Sequence, residues 1–239
     1  MNPRQEVIYL AAHKMARMST PLDTEAGILA TLALVIEPED TFVDIGANVG
    51  LFSAVIARAG AVFPHMKFYA FEAHPDTAKR LRATLEDRAV EIHACALSDR
   101  SGELDFCEGG GSCSFGAIDP RNPFQIRGRA MRVPARRLDD VAIEGDSIVM
   151  KIDVENHEAE VLRGAKRLLA SGRVKALYID GYADPALPNI LRELDFALFD
   201  GRTLDSDTSD RKLLAISHRC LARWARRKRD YKYASSANA

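Results

Sequence analysis

The first place in the sequence where residue types and spacing suggest chemistry is a turn that contains two glycines. Asp44 lies just before the turn, which carries Gly46, Asn48 and Gly50. A dinucleotide-binding turn needs a further glycine that brings the backbone against a diphosphate, so diphosphate recognition is not indicated. The carboxylate of Asp44 would repel a phosphate but attract an ammonium or a sulfonium group. The turn therefore favours S-adenosylmethionine (SAM) as the ligand.

Glu72 is the next candidate, because it ends a hydrophobic run and lies 22 residues beyond Gly50. In open α/β folds an acid at this position accepts hydrogen bonds from ribose hydroxyls. Glycine turns and acids at strand ends each occur for purely structural reasons as well. Their order and spacing together favour a ligand that contains adenosine.

A third polar group, formed by Asp153, Glu155 and His157, follows a nearly continuous hydrophobic run. Transfer of a methyl group to an alcohol needs a side chain that accepts the hydroxyl proton, and a carboxylate or a neutral imidazole can do so. We expect Asp153 to be this base, with His157 as the second candidate and Glu155 beside them. Two alternatives stay open: His157 lies on the surface without a catalytic role, or the three residues bind a divalent metal with Asp180. The favoured prediction contains no metal.

The fold must bring these groups together. Patterns typical of strands and of helices alternate along the chain. The alternation predicts a doubly wound, mainly parallel sheet with helices on both faces, as in a Rossmann-like α/β fold. Two final strands, at residues 196–199 and 212–216, predict a hairpin that adds an antiparallel edge strand. The other predicted strands cover residues 41–46, 67–72, 91–96, 147–153 and 174–180.

An irregular stretch at about residues 101–140 interrupts this alternation. It is rich in glycine and proline, and its strand-like fragments predict a hairpin insertion, which could contact substrate or be a simple ornament. We therefore divide the chain into an N-terminal helical segment (1–40), a SAM-binding domain (41–218) and a basic C-terminal tail (219–239).

The overall composition is that of one globular domain, with 239 residues, 47% of them hydrophobic and 28% charged. We expect no signal peptide and no transmembrane helix, because no hydrophobic run approaches the roughly 20 residues that span a bilayer. Four cysteines without paired metal spacing predict reduced thiols and a cytoplasmic location. Residues 219–239 carry a net charge of +6, although the whole chain has −1. This tail could contact an anionic partner or form a solvated helix.

Beyond these local arguments, several segments resemble the FkbM family of SAM-dependent methyltransferases. The likeness covers about residues 40–216 and is carried by residues 42–53, 71–75 and 96–102 and by Lys151-Ile-Asp-Val-Glu155 with its following helix. The resemblance implies a class I methyltransferase fold, with a seven-stranded sheet and SAM over the first two strands. It also implies methylation of hydroxyl groups, the activity associated with members that act on macrolides and sugars.

The resemblance further implies roles for single residues. One position departs from the family pattern, because Asn156 stands where the family usually has glycine. The implied cofactor contacts are Asp44, Gly46, Asn48 and Gly50 with the neighbouring Ala47 on the methionine side, Glu72 with Ala73 at the ribose, and Ala96, Leu97 and Ser98 at the adenine edge.

Together these observations predict an enzyme that transfers the methyl group of SAM to a hydroxyl of a small molecule or glycan, such as a sugar or a polyketide. One alternative is a nicotinamide-dependent oxidoreductase, against which the missing glycine argues. Another is a nucleic-acid methyltransferase or binding protein that uses the basic tail and the arginines at 121, 127, 129 and 132. No series of aromatic residues accompanies these arginines and the rest of the chain is acidic, which argues against nucleic acid.

Overall fold

The strands follow the hydrophobic runs of the sequence, in which β-branched and aromatic side chains favour extended backbone. The computed structural model describes residues 23–60, 66–109, 112–115, 129–206 and 211–227. Its strands are β1 (Thr41–Ile45), β2 (Lys67–Phe71), β3 (Glu91–His93), β4 (Ala96–Leu97), β5 (Gly102–Gly109), β6 (Ser112–Phe115), β7 (Arg129–Arg136), β8 (Ile148–Ile152), β9 (Val174–Asp180), β10 (Phe196–Asp200) and β11 (Lys212–Ser217).

Seven of these strands form the main sheet, in the order β10-β11-β9-β8-β1-β2-β3. Strand β1 pairs in parallel with β2 and β8, and β3 and β9 continue the parallel arrangement on either side. Strand β11 pairs antiparallel with both β9 and β10. The predicted doubly wound, mainly parallel sheet is thus confirmed. Its antiparallel strand, however, lies one position inside the edge, because β10 is added on the outer side of β11.

The predicted third strand, residues 91–96, is divided between two sheets. Strand β3 completes the main sheet, whereas β4 belongs to a second sheet with the order β4-β7-β5-β6. The strand-like fragments within the irregular stretch do pair, since β5 runs antiparallel to β7 over its whole length. Residues 116–128, which include Arg121 and Arg127, lie outside the described residues.

Helices cover the main sheet on both faces. The stripe of hydrophobic residues at 161–169, expected as one helix, is divided at Ala165, whose φ of −111° interrupts the helical backbone. None of the described helices is both long enough and apolar enough to cross a membrane. The helices are α1 (Asp23–Val35), α2 (Leu51–Gly60), α3 (Pro75–Thr84), α4 (Glu158–Gly164), α5 (Lys166–Ala170) and α6 (Leu187–Glu193).

Alternation of side chains along each strand divides the hydrophobic core in two. Phe42 and Val149 point to the face that packs on α1 and α2. Val43 and Met150 point to the opposite face, which packs on α4, α5 and α6. The parallel strands all end at one edge of the sheet, and the predicted site residues follow these ends, as expected for an open α/β fold.

The beginning of the predicted basic tail is packed against the domain. Trp224 is 3% exposed, and its ring centroid lies 5.7 Å from that of Phe199. The guanidinium of Arg227 donates a hydrogen bond to the carbonyl oxygen of Leu34 at 3.2 Å and pairs with Glu37. Residues 1–22 of the predicted N-terminal segment and residues 228–239 of the tail lie outside the described residues.

Candidate active site

The turn after β1 is built around Gly46, which has a φ of +73°. A Cβ atom at this position would lie 1.8 Å from the carbonyl oxygen of Asp153, so only glycine allows the turn to approach the end of β8. The backbone N–H groups of Gly46 and Ala47 both donate to the carbonyl oxygen of Phe71, at 3.0 and 2.9 Å. The turn therefore ties together the ends of β1, β2 and β8.

Two further residues of the turn have left-handed backbone. Asn48 has a φ of +51°, and asparagine tolerates this conformation better than most residues. Gly50 has a φ of +90°, and a Cβ atom there would lie 2.7 Å from Cδ1 of Leu81 in α3. Gly50 thus lets the start of α2 pack closely against α3.

Glu72 follows β2 and is almost fully buried. Its carboxylate accepts hydrogen bonds from the backbone N–H groups of Asn48 at 2.9 Å and His74 at 2.8 Å. Burial raises the pKa of Glu72, and these two hydrogen bonds only partly oppose the rise. Glu72 therefore fastens the glycine turn to the start of α3, a structural role that the sequence had not suggested beside the predicted ribose contact.

A cleft that is open to solvent lies over these strand ends. The apolar end of the cleft includes Phe71, Cys95 and Phe106 beside one carboxylate, that of Glu72, whereas the acidic end carries Asp153 and Glu155 from the loop after β8. Asp44, Ala47, Gly50, Ser98 and His157 are not among its lining residues. The predicted site residues that line it are Gly46, Asn48, Glu72, Ala73, Ala96, Leu97, Asp153 and Glu155.

A buried ion cluster lies beneath the acidic end of the cleft. The Nζ atom of Lys151 lies 3.1 Å from Oδ2 of Asp153, 3.7 Å from Oδ1 of Asp44 and 3.0 Å from the carbonyl oxygen of Gly46. Asp44 is fully buried and also accepts a hydrogen bond from Oγ of Ser53 at 2.7 Å. Burial alone would lower the pKa of Lys151, but the carboxylates of Asp44 and Asp153 outweigh it and raise the pKa.

Lys151 is the main site residue that sequence reasoning missed. Lys151 could have been recognised from the sequence, because it is the only charged residue in the hydrophobic run at 147–152. A lysine on a strand covered on both faces needs buried partners. On a parallel sheet those partners come from neighbouring strand ends, which is where Asp44 and Asp153 lie.

The loop between β8 and α4 has an unusual backbone. Glu155 and Asn156 have φ values of +52° and +75°. Asn156 thus adopts the left-handed conformation that glycine favours. Oε1 of the buried Glu158 accepts hydrogen bonds from the backbone N–H groups of Val154 at 3.3 Å and Asn156 at 3.2 Å, and holds this loop in place.

Glu155 and Glu158 both have shifted pKa values. Desolvation raises the pKa of Glu155, and the nearby carboxylates of Asp153 and Asp180 raise it further. Burial raises the pKa of Glu158 to about 7. Both side chains therefore keep a proton to higher pH than an ordinary glutamate does.

His157 lies away from the acidic end of the cleft. Its Nε2 atom is 2.9 Å from Oγ of Ser98, and its Nδ1 atom is 3.6 Å from a carboxylate oxygen of Glu160. Burial lowers the pKa of His157 although Glu160 opposes this. Ser98 is itself buried, and its carbonyl oxygen would lie 1.9 Å from a Cβ atom at Gly164. His157 and Ser98 thus join the start of α4 to the end of β4.

The metal alternative receives no support from the arrangement of ligands. Within the described ranges, no three His, Cys, Asp or Glu side chains converge as a metal site would require. Asp153, the central residue of that alternative, is paired with Lys151 instead.

Two known methyltransferases are similar to this chain in sequence. Hexuronic acid methyltransferase AglP from Haloferax volcanii is 29% identical over 167 residues, which are 67% of this chain and 64% of AglP. Methyltransferase 1 from Beauveria bassiana is 29% identical over 150 residues, or 53% of this chain and 59% of that protein. The chain thus matches less than two thirds of the length of either relative.

Fold and family comparisons agree with each other. The crystal structure of methyltransferase FkbM from Methylobacillus flagellatus superposes with a TM-score of 0.51 at 15% identity, covering 89% of this chain and 59% of that one, which shows a shared fold. The family model described as the methyltransferase FkbM domain matches residues 44–199, more than half of the chain. The chain therefore belongs to the FkbM family of SAM-dependent methyltransferases.

Proposed function

We propose that this chain transfers the methyl group of SAM to a hydroxyl oxygen of a sugar or a related small molecule. The observation that carries the proposal is the cleft, which is largely apolar beside Glu72 at one end and carries Asp153 and Glu155 at the other. Similarity to a hexuronic acid methyltransferase supports a sugar as the acceptor.

The residues of the cleft fit SAM. The apolar end, with Phe71, Ala96 and Leu97, suits an adenine ring, and the acidic end suits the ammonium and sulfonium groups. Asp44 is fully buried and does not line the cleft, so it acts on this end only through Lys151, whose Nζ atom lies 3.7 Å from its Oδ1 atom. When bound, SAM supplies an electrophilic methyl group on a positively charged sulfur.

We propose Glu155, rather than the Asp153 expected from the sequence, as the base. Oδ2 of Asp153 already forms an ion pair with Nζ of Lys151 at 3.1 Å. Glu155 lines the same end of the cleft and has a raised pKa, which makes its carboxylate the better proton acceptor. We assign proton removal from the acceptor hydroxyl to Glu155, and charge stabilisation near the sulfonium to Asp153.

Methyl-labelled SAM tests the proposal, with glucuronic acid and glucose as probe acceptors and product identification by mass. Glu155→Gln should lower the transfer rate about 100-fold or more while leaving SAM affinity within a few-fold. Glu193→Gln, an exposed change on α6, is the matched control. Full transfer by Glu155→Gln would refute the base assignment, and transfer to nitrogen or carbon acceptors alone would refute the proposed function.

A further inference from the structure

The ion cluster beneath the cleft arises from the register of two neighbouring strands. Asp44 of β1 stands opposite Lys151 of β8. Asp153 lies two residues beyond Lys151, so strand alternation returns its side chain to the same face. Only Asp153 reaches solvent: 30% of its side chain is exposed, compared with 0% for Asp44 and 2% for Lys151.

The charges at this end of the cleft do not cancel. Asp44 and Asp153 share the single ammonium group of Lys151, and Glu155 adds a further carboxylate within reach of Asp153. Even with Asp44 protonated, Asp153 and Glu155 exceed the positive charge of Lys151. Among the described residues, the acidic end of the cleft therefore keeps an excess of negative charge.

We propose that Asp153, held in place by Lys151, makes the cleft distinguish SAM from its product S-adenosylhomocysteine (SAH) by charge. The two compounds share the adenosine and amino-acid groups and differ in the methyl group and the positive charge on sulfur. During transfer the bond between sulfur and the methyl carbon breaks, its electron pair stays on sulfur, and the methyl carbon bonds to the acceptor oxygen. The attraction between Asp153 and the sulfur centre is thereby lost, which favours release of the product.

Lys151 has two separate effects in this arrangement. It fixes the carboxylate of Asp153 through a 3.1 Å contact, and it fixes the turn through the carbonyl oxygen of Gly46. It also offsets part of the negative charge, so it limits how strongly a cation is held. The inference depends on SAM as the donor but not on the acceptor or on the identity of the base.

Binding of SAM and SAH to the full chain, measured by calorimetry without an acceptor, tests this inference. The wild type should bind SAM more tightly than SAH. Asp153→Asn should lower this preference about tenfold, chiefly through weaker SAM binding. Asp184→Asn is the matched control, because the Asp184 side chain is also 30% exposed and lies outside the cleft, and it should leave the preference unchanged.

A further measurement separates charge from shape. Sinefungin, which carries an ammonium group where SAM has the methyl sulfonium, should follow SAM and lose affinity in Asp153→Asn. Equal losses of SAM and SAH affinity in Asp153→Asn would overturn the proposal, as would a sinefungin affinity that Asp153→Asn leaves unchanged.

Discussion

The carboxyl group of Glu158 should make the stability of the fold depend on pH near neutrality. Glu158 is 1% exposed, and burial raises its pKa from the ordinary 4.5 to about 7. Its Oε1 atom accepts two backbone N–H groups of the 153–157 loop, and this role needs an oxygen acceptor but no charge. An amide of the same shape can therefore replace the carboxyl group.

The sign of the effect follows from proton binding. Between pH 4.5 and about 7 the folded chain keeps the Glu158 proton while the unfolded chain has lost it. The free energy of unfolding therefore decreases as the pH rises through this window, and the full penalty is present above pH 7. A pKa raised from 4.5 to about 7 corresponds to roughly 3 kcal/mol.

Glu158→Gln should remove this penalty. The variant should equal the wild type in stability below pH 4.5 and exceed it by up to about 3 kcal/mol at pH 8. Urea unfolding followed by circular dichroism at half-unit steps between pH 4.5 and 8.5 measures the difference, in which the titration of other groups cancels. Glu193→Gln, an exposed change on α6, is the control and should run parallel to the wild type. Parallel curves for Glu158→Gln and the wild type would refute the reasoning.

Three other substitutions test the scaffold of the site. Gly46→Ala should destabilise the fold by about 3 kcal/mol or more and abolish SAM binding, because the added Cβ atom would clash with the carbonyl oxygen of Asp153. At Gly27 an added Cβ atom would have no neighbouring atom within 4 Å, so Gly27→Ala should not destabilise the fold. Glu72→Gln should weaken SAM binding about tenfold or more in calorimetry, since its amide nitrogen cannot accept one of the two backbone N–H bonds; unchanged affinity would exclude this role. Trp224→Ala should lower the free energy of unfolding by about 3–5 kcal/mol in urea titrations, and a loss below 1 kcal/mol would contradict its place in the core.

Much of the fold could be predicted because one physical signal, the continuous hydrophobic strand, marks a parallel sheet buried on both faces. This signal located β1, β2, β8 and β9. It could not place β11 between β9 and β10, since both an edge hairpin and an inserted strand have the same local pattern. The break in the helix at Ala165 could not be predicted either. Hydrophobic residues keep helical spacing across this position, although the backbone leaves the helical conformation there.

Residues of the site could be predicted where their residue type serves few structural or chemical roles. Glycines at 46 and 50 and the acid at 72 belong to that group, and all three take part in the turn. Lys151 was missed, because a buried charged residue gains its role from partners that lie elsewhere in the sheet. Trp224 was assigned to a tail, since a basic helix looks the same in sequence whether or not one aromatic side chain anchors it to the core.

The contact between the Gly46 turn and the carbonyl oxygen of Asp153 joins residues 107 positions apart in the chain. Such contacts form late in folding, because the entropy of closing the intervening loop opposes them until neighbouring strands have paired. The donor site therefore cannot preassemble in a nascent fragment that ends before β8. Ligand binding should also protect the chain from proteolysis as one unit, since a molecule held across β1, β2 and β8 resists any partial opening that separates those strands.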